Sequence, residues 1–294
     1  GLARLGELTL NPEWSGISVV MRGEGRWLRA YGLTQHPNLL GGVLVGLLLM
    51  LVGAYADAVR AGRRRAAWLL VPYGLGLAAL LMTFSRGAWL AAAVGGLTLL
   101  GTAWRAGWQP DRRTARVLLP LAALTVVIGA AFAATQWSLL QPRLGLAYEG
   151  AEVRSVDERA TLIAGARALR ERRPVLGVGA GGFSTALHRL AREAIAAYPI
   201  VQPVHNVPLL LATEVGLLGA GLWFALVLGP AAAGWIRPVR RRAGWPAGLT
   251  GVLTACFTLG WYEAYPWRSQ QGALLLWLTL GLWVRAWKAA EVED

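Results

Sequence analysis

Residues 67–103 read AWLLVPYGLGLAALLMTFSRGAWLAAAVGGLTLLGTA, and this stretch decides the fold. Two apolar blocks, 67–84 and 87–103, flank Ser85-Arg86-Gly87. Each block approaches the roughly 20 apolar residues that a helix needs to cross a bilayer. A break this short predicts a tight helical hairpin, with Gly87 relieving the turn.

Five further blocks of the same kind lie outward from the hairpin: 38–56, 117–135, 207–229, 246–262 and 270–287. The expected fold class is therefore all-α, a polytopic membrane bundle of about seven spans. Composition agrees. Apolar residues make up 55%, charged residues 15%, and mean hydropathy is +0.45, values outside the range of ordinary soluble domains. Tryptophans gather at block edges (Trp68, Trp104, Trp137, Trp245, Trp261, Trp267), as in an interfacial belt.

The net charge of +13 raises the question of nucleic acid, but its distribution answers it. Arginines cluster in the links between apolar blocks: four in 57–66, four in 104–116 and four in 230–245, with Arg285 and Lys288 after the last block. If the spans alternate, these regions share one side, which the positive-inside rule makes the cytoplasm. Residues 1–37, the Ser85 turn, the long segment 136–206 and the link 263–269 then lie outside. The expected organisation is an extracytoplasmic segment (1–37), four spans (38–135), a large periplasmic helical loop (136–206), and three spans with a cytoplasmic tail (207–294). Gly1 would lie outside with no signal-peptide pattern, so at least one upstream span is expected. The single cysteine, Cys256, permits no intrachain disulfide or thiolate metal site. His36, His188 and His205 lack metal-ligand spacing, so no metal or cofactor is expected.

The loop reads as two helices, about 157–172 and 183–197, separated by Gly177-Val-Gly-Ala-Gly-Gly182. That string matches a dinucleotide fingerprint only formally, because no βαβ unit fits between two spans. It is either a glycine turn packed close to a helix or a nest of amides for an anion. Arg86 either snorkels to headgroups or fixes a phosphate at the surface. Spacing alone makes Arg159 a solvated helix charge. His205 with Asn206 sits where the chain returns to the membrane, as an interfacial anchor or a proton acceptor. Glu214, nine residues on, is costly inside a span and is expected to face a cavity or a partner. Glu263 and Arg268 share the outer side, either completing a polar site or pairing with each other.

Four stretches together resemble the O-antigen ligase / Wzy-type polymerase family of membrane glycosyltransferases: RAYGLTQHPNLLGG (29–42), LLMTFSRGAWLA (80–91), ERATLIAGARALRERRPVLGVGAGGF (158–183) and HNVPLLLATEVGLLG (205–219). The resemblance implies a fold of about a dozen spans, of which this is the C-terminal portion. It implies two arginines and a histidine facing the periplasm as catalytic residues, which fall on Arg86, Arg159 and His205. Arg86 and Arg159 would also bind substrate, with Arg29, Asn206 and the looser match Glu263. The implied activity transfers a glycan from undecaprenyl pyrophosphate to a hydroxyl of lipid A–core, another glycan or a protein, at the outer face of the inner membrane and without a metal. The alternatives are a polymerase of the same family and a transporter of bicarbonate or lipid-linked glycan, which would carry broken helices and inverted repeats.

Overall fold

A computed structural model describes residues 4, 6–144, 150–193, 202–239 and 243–291. The fold is an all-α bundle, as the apolar blocks require. One short antiparallel ribbon, β1 (Val19–Arg22) with β2 (Gly25–Leu28), precedes it, turning at Gly23-Glu24 with Arg22 opposite Gly25. Its strands are four residues long and carry no alternation strong enough to read from sequence.

The bundle comprises α1 (Pro37–Arg60), α2 (Leu70–Met82, preceded by a 3₁₀ turn at Ala66–Leu69), α3 (Arg86–Arg105) and α4 (Arg112–Arg143). Beyond the loop helices α5 (Gly150–Arg172) and α6 (Phe183–Glu193) come α7 (Val207–Glu214), α8 (Gly216–Ile236), α9 (Gly244–Gly260), α10 (Tyr265–Arg268) and α11 (Gln270–Glu291). Among the described residues four helices are long and apolar enough to cross a membrane: α1, α3, α4 and α8. Several boundaries differ from those expected. The helix anticipated over 117–135 runs to Arg143, bending at Gln136, and the loop helix anticipated at 157 begins at Gly150. The block 207–229 is two helices, broken where Gly216 adopts φ +68°. Residues 194–197 of the second loop helix, and Arg240, Arg241 and Arg242 of the last basic link, lie outside the described residues.

Buried α9 is the centre of the bundle, with Leu249, Val252, Leu253 and Leu259 all enclosed. Helices with so few polar groups gain little from burial in lipid, so close backbone approach has to hold them. A Cβ on Gly95 of α3 would stand 2.8 Å from the carbonyl oxygen of Gly251 in α9, and a Cβ on Gly251 would stand 2.6 Å from that of Gly95. The outward faces keep large apolar side chains such as Leu75, Leu97, Leu119 and Leu222 exposed, as lipid contact demands. Outside this core, Leu162, Leu169, Phe183 and Leu187 pack α5 on α6 in a small separate cluster.

The two ends of the bundle differ. At one, Asp57 accepts the amides of Gly244 and Trp245, Arg60 lies over Trp108, and Arg105 donates to the Trp235 carbonyl. These contacts join the three arginine-rich links. The hairpin turn, the loop helices and the α9–α10 link gather at the other end.

Candidate active site

The hairpin turn shapes this second end. Thr83, Phe84 and Ser85 are buried, and Phe84 takes the left-handed conformation, φ +48°. Gly87, expected to relieve the turn, is inside α3 instead. Burial of Phe84 against Phe132 and Trp89, with ring centroids 5.3 and 6.4 Å away, offsets a backbone cost of about 1–3 kcal/mol. Ser85 caps α3 by accepting the Ala88 amide, and Arg86 follows as the first helical residue. A cation there opposes the helix dipole. Arg86 is exposed and donates to the Arg143 carbonyl at 3.3 Å.

Arg29 braces the turn from below. It is buried, and its guanidinium donates to the Thr83 carbonyl (2.6 Å), Ser18 Oγ (2.6 Å) and Asn38 Oδ1. Burial, then the nearby charge of Arg143, brings its pKa down to about 9, so it remains a cation at neutral pH. Asn38 passes the connection on, donating through Nδ2 to Glu263 Oε1. Glu263 also faces Arg159 Nη2 at 3.9 Å. A continuous polar chain therefore runs from the hairpin through Arg29, Asn38 and Glu263 to Arg159 in α5. Burial raises the Glu263 carboxyl from 4.5 to about 7, with Arg159 and the Asn38 hydrogen bond opposing the rise.

His205 is half-buried, and its Nδ1 is enclosed without a hydrogen-bond partner. Burial and the charge of Arg159 lower its pKa, leaving a neutral ring at pH 7. Asn206 caps α7 through Oδ1, 2.8 Å from the Leu209 amide, and donates Nδ2 to the Trp261 carbonyl at 3.3 Å. Both ends of its amide are thereby occupied. His36 occupies the matching place on α1, where Nδ1 accepts the Asn38 amide at 3.1 Å.

Glu263 and Arg268 do not pair with each other. Arg268 reaches Glu214 Oε1 at 3.1 Å instead, and Glu214, fully enclosed, also accepts from Trp267 Nε1 (3.0 Å) and the Phe183 amide (3.2 Å). That amide opens α6, so the anion at the head of the glycine string is the protein's own carboxylate. The string itself is a packed turn: Val178 and Gly179 donate to the carbonyls of Thr213 and Glu214. A Cβ on Gly216 would overlap the Val175 carbonyl.

The structure thus brings Arg29, Arg86, Arg159, His205, Asn206 and Glu263 to one end of the bundle. Sequence reasoning missed two members. Arg143 donates Nη2 to the Val19 carbonyl at 2.9 Å and acts electrostatically on Arg29. His36 lies within electrostatic reach of Arg29, His205 and Arg159. Arg143 carried no signal, being one basic residue among many. His36 sat within a quoted motif, but only the fold reveals its cap.

Helices α1, α3 and α7 are among those that begin at this end, adding their positive dipole ends to the guanidinium charges. Among the described residues no three His, Cys, Asp or Glu side chains gather to ligate a metal. The molecule is therefore a helical integral membrane protein with an electropositive polar site at one end. A family model for O-antigen ligase matches residues 71–224, just over half of the chain, from α2 into α8. The chain belongs to the O-antigen ligase family. No curated protein and no solved structure matches it.

Proposed function

We propose that the protein transfers a glycan from undecaprenyl pyrophosphate to an acceptor hydroxyl at the outer face of the inner membrane, without a metal. Membership of the family supports an O-antigen ligase or a related glycan polymerase. The observation that carries the finer reading is the convergence of Arg86, Arg159 and His205 from three distant segments, beside Arg29 and the N-termini of α1, α3 and α7.

In this reading Arg86 and Arg159 bind the diphosphate and stabilise the negative charge that develops on it as it leaves. Guanidiniums suit that task because they bind phosphate oxygens bidentately and keep their charge at working pH. Preorganised donors of this kind are each worth roughly 3 kcal/mol of barrier. His205, neutral at pH 7, accepts the acceptor hydroxyl's proton as general base, a role worth about 10²–10⁴ in rate. Direct attack inverts the anomeric carbon. Arg29, Asn38 and Glu263 position Arg159 relative to the hairpin, and Asn206 fixes the backbone beside His205. The acceptor is a lipid A–core, another glycan or a protein.

The test uses the full chain purified in detergent, a lipid-linked glycan donor and defined acceptors. Transfer with inversion, abolished in His205→Ala, is the expected result. Retention of configuration, or undiminished transfer by His205→Ala, overturns the scheme. Product length distinguishes one-step ligation from stepwise polymerisation.

A further inference from the structure

His36 is the N-cap of α1, and its Nδ1 accepts the amide hydrogen of Asn38 at 3.1 Å. That single contact determines what the rest of the ring can do. A neutral imidazole carries one proton, and a nitrogen that accepts does not hold it. The proton is therefore on Nε2, so the remaining nitrogen of His36 is a donor with no lone pair to offer. Two further contacts hold the capping loop: Thr34 Oγ1 donates to the His36 carbonyl at 3.0 Å, and the Tyr31 ring packs edge-on at 6.3 Å. The Asn38 amide thus fixes the orientation of a solvent-exposed imidazole.

Its surroundings are those of the site. Arg29, His205 and Arg159 all lie close enough to act on its charge. Crowding by neighbouring atoms, followed by the charge of Arg29, lowers its pKa below 6.5, while the ring itself stays exposed to solvent. Asn38, whose amide it accepts, bridges Arg29 and Glu263.

Resting on the glycan-transfer reading above, we infer that His36 is a second catalytic histidine, donating a hydrogen bond from Nε2 to an oxygen of the lipid diphosphate. A donor-only group matches phosphate oxygens, which only accept, better than a sugar hydroxyl, which must also give up a proton. The same tautomer bars His36 from acting as general base, leaving that task to His205. A neutral donor also adds a contact to the leaving group without further charge beside Arg29 and Arg159.

Two substitutions separate this role from helix capping. His36→Asn keeps an oxygen able to cap α1, since asparagine is among the best N-cap residues, but its shorter side chain withdraws the outward donor. His36→Gln loses the cap yet carries an amide N–H to about the position of Nε2. In the full chain, His36→Asn is expected to keep the wild-type unfolding midpoint while kcat/KM for the donor falls at least tenfold. His36→Gln is expected to unfold earlier yet keep transfer within about threefold. Affinity for undecaprenyl pyrophosphate in detergent micelles, measured separately, should weaken about tenfold in His36→Asn and little in His36→Gln. The inference is overturned if His36→Asn transfers and binds like wild type, if activity follows stability in the two variants, or if the wild type binds no diphosphate lipid. Binding that depends on His36 in a wild type that transfers nothing removes the transfer reading and with it the catalytic role, and leaves only the hydrogen bond from His36 to the diphosphate.

Discussion

Replacing Glu263 by glutamine should make the protein more stable at alkaline pH and less active. The carboxyl is buried, and burial raises its pKa from 4.5 to about 7. Between these values the folded state holds a proton that the unfolded chain has released. Stability is therefore full below about 4.5, falls as pH rises through the window, and reaches its lower plateau above 7. The window spans 7 − 4.5 = 2.5 units. At 1.36 kcal/mol per unit the ionised carboxylate costs about 3 kcal/mol at pH 8. Glutamine has the same shape, accepts from Asn38 through its carbonyl, and has nothing to ionise. That cost is already net of the ion pair with Arg159, whose charge opposes the rise. The expectation is therefore a gain of about 3 kcal/mol at pH 8 and none at pH 4.

Thermal unfolding of detergent-purified wild type and Glu263→Gln, scanned at one rate from pH 4 to 9, reads this directly, because membrane proteins unfold irreversibly and only matched scans compare. The wild-type midpoint should decline through the window while the variant's stays level. Parallel profiles, or a variant less stable at pH 8, would refute the assignment of a raised carboxyl. Donor turnover in the variant should fall because Arg159 loses its fixed partner, a familiar cost of stabilising a strained functional site.

Other sites yield sharper structural outcomes. Glu214→Leu strands Arg268 and leaves the Trp267 indole and the Phe183 amide without their acceptor; a loss of about 3–5 kcal/mol is expected, visible as a large fall in the unfolding midpoint. Gly42→Ala pushes a Cβ onto the Tyr265 hydroxyl and ring, so it should destabilise, and Tyr265→Phe in the same chain should restore only part of the loss in a double-mutant cycle, because ring carbons at 2.6 and 2.8 Å remain. His205→Ala should cut transfer at least a hundredfold, and in wild type the acid limb of the kcat/KM profile should lie below pH 6.5, because the His205 pKa is lowered and the base form persists to more acid pH.

Much of the fold was legible because its cause is local. An apolar block of about 20 residues has few structures open to it in lipid, and the hairpin around Ser85 left no room for anything but a tight turn. What escaped was decided by residues far apart in the chain. Phe84 accepts the strained φ because Phe132 is waiting for its ring, and no turn rule selects phenylalanine there. Glu214 was expected to face a cavity or a partner, and that the partner is Arg268 depends on how α7 and α10 pack. The break at Gly216 depends on the Val175 carbonyl, 41 positions earlier, pressing where a Cβ would stand. In the site, motif resemblance pointed to Arg86, Arg159 and His205. The polar chain joining the hairpin to Arg159 needed the position of Asn38, which no spacing reveals.

That chain bears on why the site tolerates so much positive charge. Arg29, Arg86, Arg143 and Arg159 approach one end of the bundle, where α1, α3 and α7 also begin. Each added cation makes its neighbours harder to keep; the pKa of Arg29 is lowered first by burial and then by the charge of Arg143. Glu263 relieves this repulsion only in part, since burial leaves its carboxyl half-protonated near neutrality. Arg86 is oriented against its own helix dipole as well. A fold selected for stability alone would place a neutral residue there. A polyanion arriving at this surface would reverse the sign of these repulsions at once, and a lipid diphosphate brings two negative charges on adjacent phosphates. Binding should then raise the unfolding midpoint of the wild type more than that of Arg86→Gln. Equal shifts in both would mean that the diphosphate binds elsewhere.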